Sequence, residues 1–226
     1  MAEQQIESVV TPERLELGMT WQEWMERIDR NQDKFKENYE STTLNPEDIA
    51  IIKALIAKPR GPDVWGVSQH APATVLALGE AWCPDVFRGL PVMARLCEAT
   101  GLRLKIFFRD ENLDIMNEFL YKGEFQSIPT FVFYTKSHEY LGHWIEKPKK
   151  AREEQELLQQ VTGRMRDPDL TPEERQKYMD EYAAFQRGPI WDGWRQAQVK
   201  EIRELLDNAL YRARVIEEML DMALND

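Results

Sequence analysis

Two cysteines and three histidines in 226 residues leave little material for a disulfide framework or a metal centre. So few thiols in a chain of this length are not a disulfide scaffold, and they suit a reducing compartment. No stretch of roughly 18 apolar residues occurs, and no signal-like apolar segment stands near the N-terminus, so the expectation is a cytoplasmic protein that does not enter a membrane. Positive charge is in the minority. Lys and Arg total 29 against 40 Asp and Glu, a net charge of −11 that argues against general affinity for nucleic acid or anionic lipid. Internal repeats, low-complexity tracts, a phosphate loop, a nucleotide fingerprint and a serine triad are missing too. The 42% hydrophobic content still supplies a sizeable core, in one enlarged domain or in one domain with a helical appendage.

Hydrophobic patterning divides the chain into a central α/β segment and two helical flanks. Thr74 to Leu78 reads as a buried strand, Pro84 to Thr100 as a helix with Leu90, Met93, Ala94, Leu96 and Cys97 on its apolar side, and Gly101 as its stop. Leu102 to Phe108 is a second strand, Asn112 to Tyr121 a short helix, Thr130 to Tyr134 a third strand and Tyr140 to Ile145 a fourth, with a helix from Pro148. Upstream, Thr20 and Glu23 form a capping box ahead of Trp21, Trp24, Met25 and Ile28. Asn45-Pro46 starts a helix carrying Ile49, Ile52, Leu55 and Ile56, which Lys58-Pro59-Arg60-Gly61-Pro62 ends. Downstream, Thr171-Pro172-Glu173-Glu174 opens another helix, and Gly188-Pro189 breaks the chain before a long helix from about Trp191 to Leu224. Its apolar stripe, from Ile202 through Leu205, Leu206, Ala209, Leu210, Ala213, Ile216, Met219 and Leu220 to Ala223, is expected to pack on the chain's own core, with a homodimer seam as the alternative. The expected organisation is an N-terminal helical extension over 1–73, a core over 74–162 and a C-terminal helical extension over 163–226.

Chemistry concentrates at Ala81-Trp82-Cys83-Pro84-Asp85-Val86, where a strand turns into a helix. Unpaired backbone N–H groups and the positive end of the helix dipole favour a thiolate at Cys83, and Pro84 at the first helical position loses no hydrogen bond. Asp85 opposes this by placing a carboxylate two residues from the sulfur, while Arg88, three residues further on the same helix, is placed to neutralise it. The net direction of the thiol pKa is open at this level. Cys97 lies fourteen residues along the same helix, roughly 21 Å away, against a ceiling of about 7 Å between bridged Cα atoms, so it is a core residue and not a partner. His138 and His143 fall on opposite sides of a strand by alternation, and His70 stands alone, so no metal site is expected. Lys147-Pro148-Lys149-Lys150-Ala151-Arg152 lacks interleaved aromatics and reads as a solvated helix entrance.

Trp82-Cys83-Pro84-Asp85, Leu90-Pro91-Val92, Arg109-Asp110-Glu111-Asn112 and Ser127-Ile128-Pro129, in a β-α-β-α-β-β order, resemble the thioredoxin-like superfamily. They resemble in particular a little-characterised bacterial branch with a Trp-Cys-Gly-Asp motif, in which Pro84 here replaces the glycine. The resemblance implies a mixed β-sheet flanked by helices, with Pro129 in a cis peptide facing Cys83 and with Ile128 and Pro129 contacting substrate. Trp82 and Pro84 then wall the same shallow site. It also marks two departures. Val86 stands where a dithiol thioredoxin has its second cysteine, and Ala77 where such proteins carry a buried carboxylate.

The expected function is single-cysteine thiol-disulfide exchange. Cys83 attacks a protein or low-molecular-weight disulfide or oxidised thiol, Ile128 and Pro129 orient it, and an external thiol releases the product. A non-enzymatic interaction module on the same fold is the competing class. Thiol peroxidase chemistry is a third, without the Thr-rich motif expected of it. An iron–sulfur cluster shared through one Cys83 from each of two subunits suits a single cysteine per site, but no glutathione signature accompanies it, and no cofactor is expected. The expected state is a monomer, with a homodimer as the alternative.

Overall fold

The computed structural model describes residues 8–57 and 71–224; the expected helix stop at Lys58–Pro62 and His70 lie outside the described residues. Helix α1 (Pro12–Glu16) starts at Thr11, whose hydroxyl accepts the Arg14 N–H. The Thr20–Glu23 capping box opens α2 (Trp21–Arg27) as the sequence predicts. A further helix, α3 (Gln32–Ser41), carries no clear apolar stripe, yet Phe35 and Asn38 on it are buried. Asn45 then caps α4 (Pro46–Ala57), its Oδ1 accepting the Glu47 N–H at 2.9 Å.

Strands β1 (Pro72–Gly79), β2 (Arg103–Phe108), β3 (Thr130–Thr135) and β4 (Tyr140–Ile145) form one mixed sheet in the order β2-β1-β3-β4. β1 runs parallel to β2 and antiparallel to β3, and β3 runs antiparallel to β4. Central β1 is apolar along its length because both of its faces are covered, which is why it reads as a continuous run and not an alternation. The outer edge of β2 is closed by Met19, which exchanges both backbone hydrogen bonds with Ile106, at 2.8 and 2.7 Å.

Between β1 and β2 lies α5 (Pro84–Thr100), stopped by Gly101 at φ 87°, a left-handed turn that suits glycine. The five residues assigned to its apolar side are buried, and so are Val86 through Val92 around the rest of its circumference, because α3, α4 and the C-terminal helix cover the face turned away from the sheet. Trp24 stacks on Phe108 and meets Phe35 edge-on, and Phe35 in turn meets Phe87, so the N-terminal helices extend the core without a break.

The helix expected over Asn112–Tyr121 is shorter. α6 spans Leu113–Met116, after which Tyr121 pairs with Phe125 across a turn in which Lys122 and Gly123 both take positive φ, a geometry a helix cannot carry. The histidine reading is also corrected. His138 sits in the β3–β4 turn at φ 69°, outside the alternation of β4, so it and His143 line one cavity of about 370 Å³ together with Tyr134 and Tyr140. Among the described residues there is no group of three or more metal-ligating side chains, and no helix is long and apolar enough to cross a membrane.

After β4 come α7 (Lys149–Glu153), α8 (Gln155–Thr162), a 3-10 turn, α9 (Pro172–Gln186) behind a Thr171–Glu174 capping box, and α10 (Pro189–Leu224). The first half of α10 is stitched to the fold. Trp191 Nε1 and Arg195 Nη1 donate to Asn38 Oδ1 at 3.1 and 3.0 Å, Arg203 pairs with Asp48 at 2.7 Å, and Glu201 accepts from the Trp144 indole at 2.8 Å and the Lys149 N–H at 2.7 Å. The apolar stripe is buried on the chain's own core at Ile202, Leu206 and Ala209, with Leu205 and Leu210 partly buried against it. Ile216 and Met219 are exposed because the helix outruns the sheet, while the side chains of Ala213, Leu220 and Ala223 lie outside the described residues.

Candidate functional site around Cys83

Cys83 is the N-cap residue of α5, with Pro84 at the first helical position, and its N–H donates to the Glu80 carbonyl at 3.2 Å. The end of β1 and the start of α5 therefore fix the sulfur from both sides. Across from it, Pro129 leads into β3 and the Ile128-Pro129 peptide is cis. The thiol is half-buried and donates toward the Ile128 carbonyl oxygen at 3.8 Å, a long sulfur contact. Cys83, Ile128 and Pro129, some 45 residues apart in sequence, are thus brought together.

The close approach of α5 to Pro129 depends on Gly89. A Cβ there would lie 3.3 Å from Pro129 Cγ and 3.0 Å from Gln198 Oε1, and Gln198 Nε2 already bonds the Gly89 carbonyl at 2.9 Å. Val86 is fully buried, and a Cβ on Gly79 of β1 would lie 2.8 Å from its Cγ1. The position of a second motif cysteine is thus filled by an apolar side chain packed on the central strand. Ala77 is likewise buried at mid-strand, paired with Ile106 and Phe131.

Arg88 meets Asp85 as expected, and does so from a buried position. It is 0% exposed, and its Nη2 donates to Asp85 Oδ1 and to the Glu146 carbonyl at 3.2 Å each while Nη1 donates to Gln198 Oε1 at 3.3 Å. Its guanidinium carbon lies 5.9 Å from the centre of the Trp191 ring. Asp85 has a second cation in Lys147, at 3.6 Å, which also pairs with Glu146 at 3.0 Å, and Arg152 holds Glu146 at 2.9 Å. The basic run is therefore only half a solvated helix entrance. Lys149 and Lys150 face solvent, whereas Lys147 and Arg152 turn inward to the carboxylates beside the thiol. Burial pushes the Glu146 carboxyl up, but the Lys147 and Arg152 partners outweigh it and hold the group below its ordinary range.

The open question of the thiol resolves upward. Burial raises the Cys83 pKa above its ordinary value, the Val86 and Asp85 N–H groups act to lower it, and the Asp85 and Glu146 charges add to the rise. Cys97 is buried against Met93, its Sγ 3.6 Å from the Met93 sulfur, and burial raises its pKa further still. Asp85→Asn is expected to move the pH midpoint of Cys83 alkylation downward, because one repelling charge is removed while Lys147 and Arg88 remain; a midpoint that stays or rises would contradict this balance.

On the opposite flank Trp82 is 47% exposed, with the Arg109 guanidinium 5.4 Å from its ring centre. The loop carrying Arg109 is tied down by Glu80, whose Oε1 accepts the Asp110 N–H at 2.9 Å and whose carboxyl is pushed up by burial. Sequence reasoning had not singled out Glu80, Gly89, Glu146, Gln198 or Tyr182 of α9, which shares the electrostatic surroundings of Cys83, Asp85 and Arg88.

A thioredoxin family profile matches residues 63–161, the segment that holds the sheet, α5 and the Cys83–Pro129 pair. The match covers that segment, and its mixed sheet with flanking helices is a thioredoxin-like fold. Two solved structures share the fold over most of the chain. One is a protein of unknown function from Pseudomonas aeruginosa, with a TM-score of 0.55 and 13% identity over 86% of this chain and 95% of that one. The other is an HIV epitope scaffold, with a TM-score of 0.55 and 15% identity over 89% of this chain and 99% of that one. No curated protein matches the chain.

Proposed function

We propose that the protein is a monothiol exchange catalyst in which Cys83 is the nucleophile. The observation that carries this reading is the half-buried Cys83 thiol at the N-terminus of α5, facing the Ile128 carbonyl beside cis-Pro129. In the first step the Cys83 thiolate attacks one sulfur of a disulfide R–S–S–R′. A Cys83–S–S–R bond forms as the S–S bond of the substrate breaks, and R′–S⁻ leaves with the electron pair of the broken bond and takes up the proton that Cys83 released. In the second step a small external thiol R″–SH, acting as its thiolate, attacks the sulfur that carries R and breaks its bond to Cys83. This forms R–S–S–R″ and returns Cys83 as a thiolate.

Val86 and Ala77 fit this scheme, since a buried apolar side chain and a missing carboxylate leave no route for a second protein thiol to resolve the intermediate. The raised thiol pKa supports the second reading, an interaction module whose cysteine is not used. Incubation with bis(2-hydroxyethyl) disulfide followed by acid quenching and mass analysis separates the two. The expected product is a single mixed disulfide mapped to Cys83; a protein that stays unmodified while free cysteine reacts would select the interaction module.

A further inference from the structure

Glu146, the residue after β4, has φ 68°, and the Lys147 N–H donates to the Ile145 carbonyl at 2.9 Å around it. A bond from residue i+2 back to residue i about a positive φ is a rare and strained γ-turn, costly for a residue with a Cβ. The side chain is held at both oxygens: Lys147 pairs with Oε1 at 3.0 Å and Arg152 with Oε2 at 2.9 Å. Arg152 Nη2 also donates to the Ile145 carbonyl at 3.0 Å, so α7 braces the turn from outside. The turned backbone serves two elements. Its N–H donates to the Pro129 carbonyl at 2.6 Å, and its own carbonyl accepts from Arg88 Nη2 of α5 at 3.2 Å. An extended residue would aim both groups at Pro129, which has no N–H to give in return; the turn keeps the one bond that is available and hands the carbonyl to Arg88. The contacts close a ring, from the Cys83 thiol to the Ile128 carbonyl at 3.8 Å, through Pro129 to Glu146, across to Arg88, and back along α5.

We propose that Glu146 is a positioning residue of the site, its anchored turn fixing the Ile128–Pro129 segment against Cys83 and so setting how a disulfide is presented to the sulfur. The reaction in this inference rests on the exchange reading above, whereas the anchored turn rests on the contacts of Glu146 itself. The carboxylate acts through the backbone it holds: without Lys147 and Arg152 on its oxygens, a residue with a Cβ leaves the turn, the Pro129 carbonyl loses its donor and Arg88 loses an acceptor.

Glu146→Ala and Glu146→Gln, made in the full chain, remove the same charge, but glutamine keeps an oxygen for Arg152, so a difference between them reports the anchor. Glu146→Ala is expected to lower kcat/KM for bis(2-hydroxyethyl) disulfide by about tenfold and Glu146→Gln by no more than about twofold, because misplacing a reacting partner is costly even when the nucleophile is intact. Alkylation of Cys83 by iodoacetamide, which needs no orientation by Ile128, should run at the same rate in both variants. Hydrogen exchange at the amide of position 146 reads the turn without turnover: its protection should fall by about tenfold in Glu146→Ala and stay near wild type in Glu146→Gln. Arg152→Met removes the brace from outside and should follow the alanine variant in every readout, and it decides the matter where Glu146→Ala does not fold. Equal disulfide rates in the alanine and glutamine variants, or a disulfide rate that falls in step with alkylation, overturns the proposal. Wild-type exchange with protection at position 146 unchanged in Glu146→Ala overturns the anchored turn alone. A wild type that reduces no disulfide, with protection in the expected order, overturns exchange and the positioning role drawn from it while the anchored turn stands.

Discussion

Cys83→Ser is expected to reduce bis(2-hydroxyethyl) disulfide no faster than the uncatalysed background, while Cys97→Ser keeps nearly the full wild-type rate. The asymmetry follows from where α5 places its two sulfurs. Cys83 caps the helix as a half-buried thiol, whereas Cys97 lies buried near the far end against Met93. A serine hydroxyl can occupy the same N-cap position and satisfy helix N–H groups, so the fold should survive while the nucleophile is lost. Raising the pH separates the thiols again. Because burial and the Asp85 charge hold the Cys83 pKa above the ordinary range, activity should climb through and beyond neutrality in wild type, and earlier in Asp85→Asn. Loss of activity in Cys97→Ser with an unchanged melting temperature would show that the wrong thiol had been assigned.

What the sequence made legible was governed by local rules. Thr20 with Glu23, Asn45 with Pro46, Thr171 with Glu174 and Gly101 after Thr100 are start and stop signals whose physics lies within a few residues, and all four mark observed helix ends. The central strands β1 and β3 were legible because a doubly covered sheet demands nearly unbroken apolar runs. Cys83 and Pro129 came from the resemblance, and the geometry joins them. α3 was not legible, since its burial comes from Asn38 receiving Trp191 and Arg195 from a helix about 150 residues away, which no local pattern encodes. The pairing of Arg88 with Asp85 was legible, but the burial of Arg88 was hidden for a related reason. A lone arginine on a helix reads as surface until the element that covers it, here α10 with Gln198 and Trp191, is known. The Lys147 and Arg152 pairing was hidden in the same way, because their carboxylate partners lie on another element or beyond the turn of the chain.

Arg88→Leu is expected to lower the unfolding free energy by about 3–5 kcal/mol, read as a shift in the urea midpoint, because a buried ion pair loses one partner and the remaining groups stay in place. The Glu146 carbonyl and Gln198 Oε1 each lose a donor inside the fold, and an unpaired buried acceptor costs about 1–3 kcal/mol. Leucine recovers part of this by packing against Trp191, but its branched end cannot serve three acceptors in one plane. Arg88→Lys should therefore be only a partial rescue. Arg88→Leu also leaves Asp85 with Lys147 as its remaining cation, so the carboxylate repels the Cys83 thiolate more strongly and the alkylation midpoint moves up, opposite to Asp85→Asn. Combining the two tests whether they act through one network: Asp85→Asn added to Arg88→Leu should destabilise by less than the sum of the single variants and return the thiol midpoint toward wild type. Strict additivity in both readouts would mean that Arg88 supports the fold without setting the charge balance at Cys83.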